Sequence, residues 1–150
     1  MDHDATGESD LGVLLASMSP VLNGGSYVFV LDERSGDHDG AEDAIVTVAE
    51  PEGRTLVLPR ERAESLGLPY GFVASWITLQ VHSALDAVGL TAAVAAALTR
   101  AGISANVVAG YFHDHLFVPE ERRDDAMSVL AELSARAVAT AERSGTRDRA

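Results

Sequence analysis

The residues best suited to chemistry lie at one turn, where a predicted strand gives way to an alanine-rich helix. The turn comprises Asp86, Ala87, Val88, Gly89, Leu90 and Thr91. The first amides of a helix have no partner inside it, and with the helix dipole they favour a carboxylate. Gly89 lets the backbone approach a ligand closely, and Asp86 offers a carboxylate to an ammonium group. A free amino acid carries both groups, so this turn predicts an amino-acid site. The alternative is that Asp86 only caps the helix and Gly89 only permits the turn.

Three histidines form a second candidate site. His113 and His115 stand at the tip of a predicted hairpin, and His82 ends a strand predicted to lie at the same edge of the sheet. By alternation, His82 and His115 share the face opposite the core. A His-x-His pair with a third histidine is an acceptable ligand set for zinc or nickel, so metal binding is kept as an alternative hypothesis.

The composition argues against an enzyme. The chain has no cysteine and all eleven of its basic residues are arginines, which removes thiol nucleophiles, Schiff-base lysines and the phosphate-loop lysine. It also has no nucleophile elbow and no dinucleotide-binding fingerprint. Asp114 stands between His113 and His115, but a hairpin tip is usually too wet to perturb a pKa. We therefore predict no catalytic residues and no cofactor.

The charge restricts the partners. A net charge of −12 repels the phosphates of nucleic acids and of anionic membranes, whereas a zwitterionic ligand is compatible with it. The longest strongly apolar stretch, residues 88–98, is too short to span a bilayer. The acidic N-terminus lacks the basic region of a signal peptide. We expect a cytoplasmic protein without a nucleic-acid or membrane partner.

The elements that must position the turn are clearest in the second half of the chain. Residues 76–82 alternate, with Ile77, Leu79 and Val81 on one face and Trp76, Thr78 and Gln80 on the other. A helix over 89–101 stops at Gly102, and strands over 103–111 and 115–118 follow. A long helix then opens at residue 119, so this half has the order β-α-β-β-α.

The first half shows a related order. A short helix begins at Asp10 and stops at Ser19-Pro20, and strands cover 27–31, 45–49 and 55–58 before a short helix through Leu66. Both halves fit an α+β fold of two split β-α-β, or ferredoxin-like, modules with antiparallel sheets and helices on one face. We predict one module over 10–68 and a second over 72–141, with flexible tails at 1–9 and 142–150.

Two motifs of the second half resemble ACT domains. Asp86-Ala87-Val88-Gly89-Leu90 is similar to the ACT pattern Asp-x-Pro-Gly-Leu, with Val88 in place of proline. Gly102-Ile103-Ser104-Ala105-Asn106 follows the helix as Gly-Ile-x-x-Asn does in that family. From about residue 10 to 133 the chain resembles small bacterial tandem-ACT proteins of unassigned function, through Tyr27-Val28-Phe29-Val30, Thr55-Leu56-Val57-Leu58-Pro59 and His113-Asp114-His115-Leu116-Phe117-Val118-Pro119.

The resemblance implies an amino-acid-binding regulatory protein that acts on a metabolic enzyme. It also implies a role for Asn106, because the equivalent strand position in ACT dimers often serves a neighbouring domain. Trp76, Thr78 and Gln80, on the face away from the core, indicate that this face packs on the first half or on a second copy. We therefore predict a homodimer. The remaining alternative is a purely protein-interacting module.

Overall fold

The helices and strands follow from local caps, turns and apolar spacing. The computed structural model describes residues 8–33, 40–81, 83 and 85–147. Asp10 caps the first helix, since its Oδ1 accepts a hydrogen bond from Val13 N at 2.9 Å. The elements are α1 Leu11–Ser17, β1 Ser19–Leu22, β2 Tyr27–Asp32, β3 Val46–Glu50, β4 Gly53–Pro59, α2 Arg60–Ser65, β5 Val73–Gln80, α3 Leu90–Arg100, β6 Asn106–Ala109, β7 Asp114–Pro119, a 3₁₀ turn Glu120–Arg122 and α4 Arg123–Arg147.

The seven strands pair into one antiparallel sheet in the order β3-β4-β2-β5-β7-β6, with β1 also paired to β5. The first residues of β5 pair with β2, at Tyr27 opposite Ala74, and its later residues pair with β1, at Leu22 opposite Ile77. β1 and β2 therefore act as one strand interrupted by a turn, in which Gly25 adopts φ +86°. Each half has the strand order of a split β-α-β module, and β5 is common to both.

The sheet has two unlike faces. The side that bears Ile77, Leu79 and Leu116, here called the helix face, packs against α1, α3 and α4 around one core. On the same side Val28 and Leu58 pack on Ala63 of α2. The opposite side, here called the open face, bears the aromatic residues Tyr27, Phe29, Phe72, Trp76 and Phe117. None of the described helices packs on it, so the predicted α+β class with helices on one face is confirmed.

Several predicted boundaries were wrong. The first helix ends before Ser19-Pro20 as expected, but residues 19–22 form an edge strand that was not predicted, and Pro20 is tolerated there because only one side of β1 is paired. The strand expected over 103–111 covers only Asn106–Ala109, since Ile103 N bonds back to Leu98 O and Ile103 is buried beneath α3. The helix α4 continues to Arg147, so residues 142–147 are helical where a flexible tail was expected.

The start of the chain joins the second half. β1 pairs with β5, and α1 packs with α3 and α4 in the same core. The pairing thus crosses the division at residues 69–71, and the two modules over 10–68 and 72–141 stay a prediction. None of the described helices has both the length and the apolar character needed to cross a bilayer.

Candidate functional site

The turn between β5 and α3 has a backbone that glycine makes possible. Gly89 adopts φ +108° and stands directly before α3, and its carbonyl accepts the first helical hydrogen bond from Ala93 N at 2.9 Å. A side chain at this φ would be strained, because Cβ would crowd the backbone. The helix therefore begins at Leu90, one residue after the predicted start at Gly89.

The amides of Leu90 and Thr91 are available at this helix start. No acceptor for either amide is found among residues 8–33, 40–81, 83 and 85–147, and no side chain caps α3. Asp86 is exposed and does not cap the helix, which removes the capping alternative. Ala87 packs against the core and Leu90 is buried, so they anchor the turn, while Val88 is 84% exposed. Within the described part of the chain, the turn thus presents two amides without an acceptor, a few residues after an exposed carboxylate.

One side of the turn is formed by the start of the chain, which sequence reasoning missed. A Cβ placed on Gly89 would lie 3.0 Å from Leu11 Cδ2, so the side chain of Leu11 rests against the turn. Glu8 also bridges to Ser83. The apolar character of Leu11 is visible in the sequence, but its neighbour depends on the pairing of β1 with β5, which local patterns do not reveal.

Asn106 lies apart from the turn. It is exposed at the start of β6 and stands opposite Phe117, whose side chain belongs to the open face. α3 packs on the other side of the sheet. The structure therefore brings Asp86, Ala87, Val88, Gly89, Leu90 and Thr91 together, but within one chain it does not bring Asn106 to them.

The histidines are divided between two environments. His113 Nδ1 lies 3.4 Å from Val81 O, and the ring of His115 lies on the open face beside Trp76. His82 lies outside the described residues. Within the described ranges no three histidine, cysteine, aspartate or glutamate side chains form a group that could hold a metal ion.

A hydrogen-bond network determines the protonation of His115. Trp76 Nε1 donates to His115 Nδ1 at 3.1 Å, and because an indole N–H can only donate, Nδ1 must be an acceptor. His115 is therefore neutral with its proton on Nε2. Thr78 Oγ1 lies 3.2 Å from the same Nδ1 and accepts a hydrogen bond from Asn23 Nδ2 at 2.9 Å. This network joins the β1–β2 turn to β5 and β7.

The pKa values agree with this arrangement. Burial lowers the pKa of His115, and the neighbouring His113 acts in the same direction, while Asp114 opposes both. Burial raises the pKa of the Asp114 carboxyl, and His115 acts against this shift. The Nδ1 lone pair of His115 accepts a hydrogen bond within this network, so the network links neighbouring strands. Only Nε2 of His115 is left to contact a ligand.

Comparisons with known proteins point to one family. An ACT-domain model matches residues 6–75, and a second ACT-domain model matches residues 72–132. The chain is 50% identical to a Vibrio cholerae protein whose crystal structure is described as that of a protein of unknown function and possible transport protein. The match covers 83% of this chain and 95% of that one, with a TM-score of 0.74. No curated protein matches the chain.

More distant structures share the fold. An Agrobacterium tumefaciens protein is 20% identical over 78% of this chain and 89% of that one, with a TM-score of 0.61. The regulatory subunit of aspartate kinase from Thermus flavus is 10% identical over 76% of this chain and 95% of that one, with a TM-score of 0.54. Two family matches in tandem and a half-identical relative of nearly the same extent decide the assignment: the chain belongs to the ACT-domain family and carries two ACT domains.

Proposed function

We propose that this protein is a cytoplasmic regulatory protein, not an enzyme, and that it binds a free amino acid at the turn between β5 and α3. The observation that carries the proposal is the pair of amides, of Leu90 and Thr91, that have no acceptor among the described residues and lie in the same turn as the exposed Asp86. The amides and the helix dipole would hold the ligand carboxylate, and Asp86 would hold its ammonium group. ACT domains generally bind amino acids in regulatory proteins, which supports this choice of ligand.

The ligand side chain would meet apolar walls. Leu11 lies against Gly89, and Val88 and Leu85 flank the turn with 84% and 68% of their surface exposed. In a homodimer, Asn106 of the second copy would complete the site, since Asn106 of the same chain faces away. A free amino acid has few heavy atoms, so we expect a dissociation constant in the micromolar to millimolar range.

The test is a thermal-shift screen of the full chain against the twenty amino acids, followed by calorimetry on those that stabilise it. Asp86→Asn should weaken binding by about tenfold to a hundredfold, since a hydrogen bond to a charged group contributes about 1.5–3 kcal/mol. Glu61→Gln removes another exposed carboxylate, on α2, and should leave the affinity unchanged. Absence of any stabilisation at millimolar amino acid would refute the proposal.

A second candidate function is docking to a regulated enzyme at the same end of the sheet. Tyr111 and Phe112 form an exposed pair with ring centroids 4.9 Å apart, at the tip of the β6–β7 hairpin. His113 connects this hairpin to the end of β5, from which Leu85 and Val88 follow. Exposed apolar groups gathered beside a ligand site are typical of a protein-binding surface. Replacing Tyr111 and Phe112 with serine should abolish co-purification of a partner enzyme while amino-acid binding persists, because neither residue belongs to the turn between β5 and α3.

A further inference from the structure

The carboxyl of Asp114 is buried and has no bonding partner. Only 8% of the residue is exposed, and in the described part of the chain its carboxyl makes no hydrogen bond or ion pair. The neighbouring histidines bond elsewhere, since His113 Nδ1 lies 3.4 Å from Val81 O and His115 Nδ1 accepts from Trp76 on the open face. Burial raises the pKa of the Asp114 carboxyl, as it does for a carboxylate that lacks a partner. A buried carboxylate of this kind destabilises a protein, so a function outside folding has to account for it.

Asp114 lies on the sheet below the start of α3. β7 runs antiparallel to β5, and its first residue, Asp114, pairs with Leu79, one residue before β5 ends. Leu116, two residues further along β7, is in the core of the helix face, so the side chain of Asp114 points to that face as well. Because β7 lies between β5 and β6, the connection through α3 that joins those two strands crosses over β7. The carboxyl therefore lies beneath the turn that presents the amides of Leu90 and Thr91.

The surroundings of this carboxyl supply no cation. Its cross-strand neighbours on the two adjacent strands are Leu79 and Ala109. The chain has no lysine, and six of the described arginines form ion pairs with other carboxylates. The attraction between opposite charges is stronger in apolar surroundings than in water. A cation that a ligand brought to Asp114 would therefore be held firmly and would remove the cost of the unpaired carboxylate.

Building on the function proposed above, we propose that the ligand is a basic amino acid, lysine or arginine, and that Asp114 binds the cation of its side chain. The α-ammonium group of an amino acid is attached to the carbon that bears the carboxylate, so it stays beside the turn, where Asp86 is available. Asp114 belongs to the sheet layer beneath. A cation at the end of a long side chain joins the two layers, and its methylene stem packs against apolar groups such as Leu11.

The same carboxyl discriminates against other amino acids. An apolar side chain would cover Asp114 further and leave it without a partner, which costs affinity. An acidic side chain would place a second negative charge beside it. The net charge of −12 also favours the approach of a cationic ligand. Asp114 thus acts as the specificity residue of the site, whereas the amides and Asp86 bind groups that every amino acid carries.

Calorimetry of the full chain with two matched pairs of ligands tests the proposal. Norleucine has the shape of lysine without its side-chain cation, and citrulline is the neutral counterpart of arginine. The wild type should bind lysine or arginine at least about tenfold more tightly than the neutral counterpart, since a hydrogen bond to a charged group is a strong one. Asp114→Asn should abolish this preference and leave the affinity for norleucine and citrulline unchanged. Asp86→Asn should weaken the binding of all four ligands.

The control is Glu121→Gln, which removes the same charge from an exposed residue beyond the other end of β7 and should keep the preference. The comparison of ligands on the wild type needs no variant, so it stands even if a substitution impairs folding. The proposal is overturned if the neutral counterparts bind the wild type as tightly as lysine and arginine do. It is also overturned if Asp114→Asn retains the preference, or if Glu121→Gln loses it equally. In each of these cases an amino acid still binds and the proposed function stands, whereas a chain that binds no amino acid refutes both proposals.

Discussion

Replacing Gly89 by alanine tests the geometry of the candidate site, and Gly102 provides a matched control. Both glycines adopt positive φ, +108° and +66°, beside the two ends of α3. A Cβ on Gly102 would have no atom within 4 Å, whereas a Cβ on Gly89 would lie 3.0 Å from Leu11 Cδ2. The two substitutions thus share a backbone cost and differ in a steric contact.

The expected magnitudes follow from these two terms. A non-glycine residue in the left-handed region costs about 1–2 kcal/mol, which we expect for Gly102→Ala. Gly89→Ala should cost about 1 kcal/mol more than Gly102→Ala, because its new Cβ would also crowd Leu11. This steric term is at the low end of the cost of overpacking, since the crowded atom is the end of a flexible side chain. Leu11→Ala removes that contact, so the double variant should be less destabilised than the sum of the single variants by about 1 kcal/mol.

Urea unfolding followed by Trp76 fluorescence measures these differences as changes in midpoint at constant slope. The argument fails if Gly89→Ala and Gly102→Ala destabilise equally, or if the effects of Gly89→Ala and Leu11→Ala are additive. Either result would place Leu11 away from the turn. Amino-acid affinity gives a second measurement, since Gly89→Ala should weaken binding and Gly102→Ala should not.

Three further substitutions test the packing and the hydrogen bonding of groups in and beside the strands. Asp114→Asn should raise the melting temperature at pH 7. Burial raises the pKa of Asp114 in the folded protein, so ionisation of this carboxyl lowers the stability of the wild type at any pH above that pKa. In a pH series the difference between variant and wild type should disappear at low pH, where Asp114 is protonated in both the folded and the unfolded wild type. Ser75→Ala should stabilise the protein by up to about 1 kcal/mol in urea unfolding, because Ser75 Oγ is buried without a partner among the described residues. Gly110→Ala should destabilise by about 1–3 kcal/mol, since its Cβ would lie 2.6 Å from His113 O, and unchanged unfolding would contradict that packing.

Local patterns predicted the elements whose signals are contained in a few residues. The alternation of Ile77, Leu79 and Val81 predicted the buried side of β5, and all three side chains are in the core. Gly102 was predicted as the helix stop, and it adopts φ +66° directly after Ala101, the C-cap residue of α3. These features depend on neighbours one to four residues away, so composition and spacing are sufficient to predict them.

Pairings between distant segments could not be predicted in this way. Ser19–Leu22 contains a proline and only four residues, and it becomes a strand because β5 has an edge free beside β2. The contact of Leu11 with Gly89 depends on that pairing, and so does the bond from Asn23 to Thr78. Asn106 shows the same limit, because the motif that contains it does not specify which face of the sheet it occupies.

The sharing of β5 has a consequence for how the candidate site is assembled. One ACT-domain match ends at residue 75, inside the strand that both modules use, and the other begins at residue 72, directly before that strand. The segment 11–22 supplies the remaining strand beside the second module and also the apolar wall at Gly89. A fragment beginning at residue 72 would lose that wall and would expose an unpaired edge of β5, which favours aggregation. The candidate site therefore requires both parts of the chain, because its amides belong to the second ACT domain and the side chain that packs against it, Leu11, belongs to the first helix.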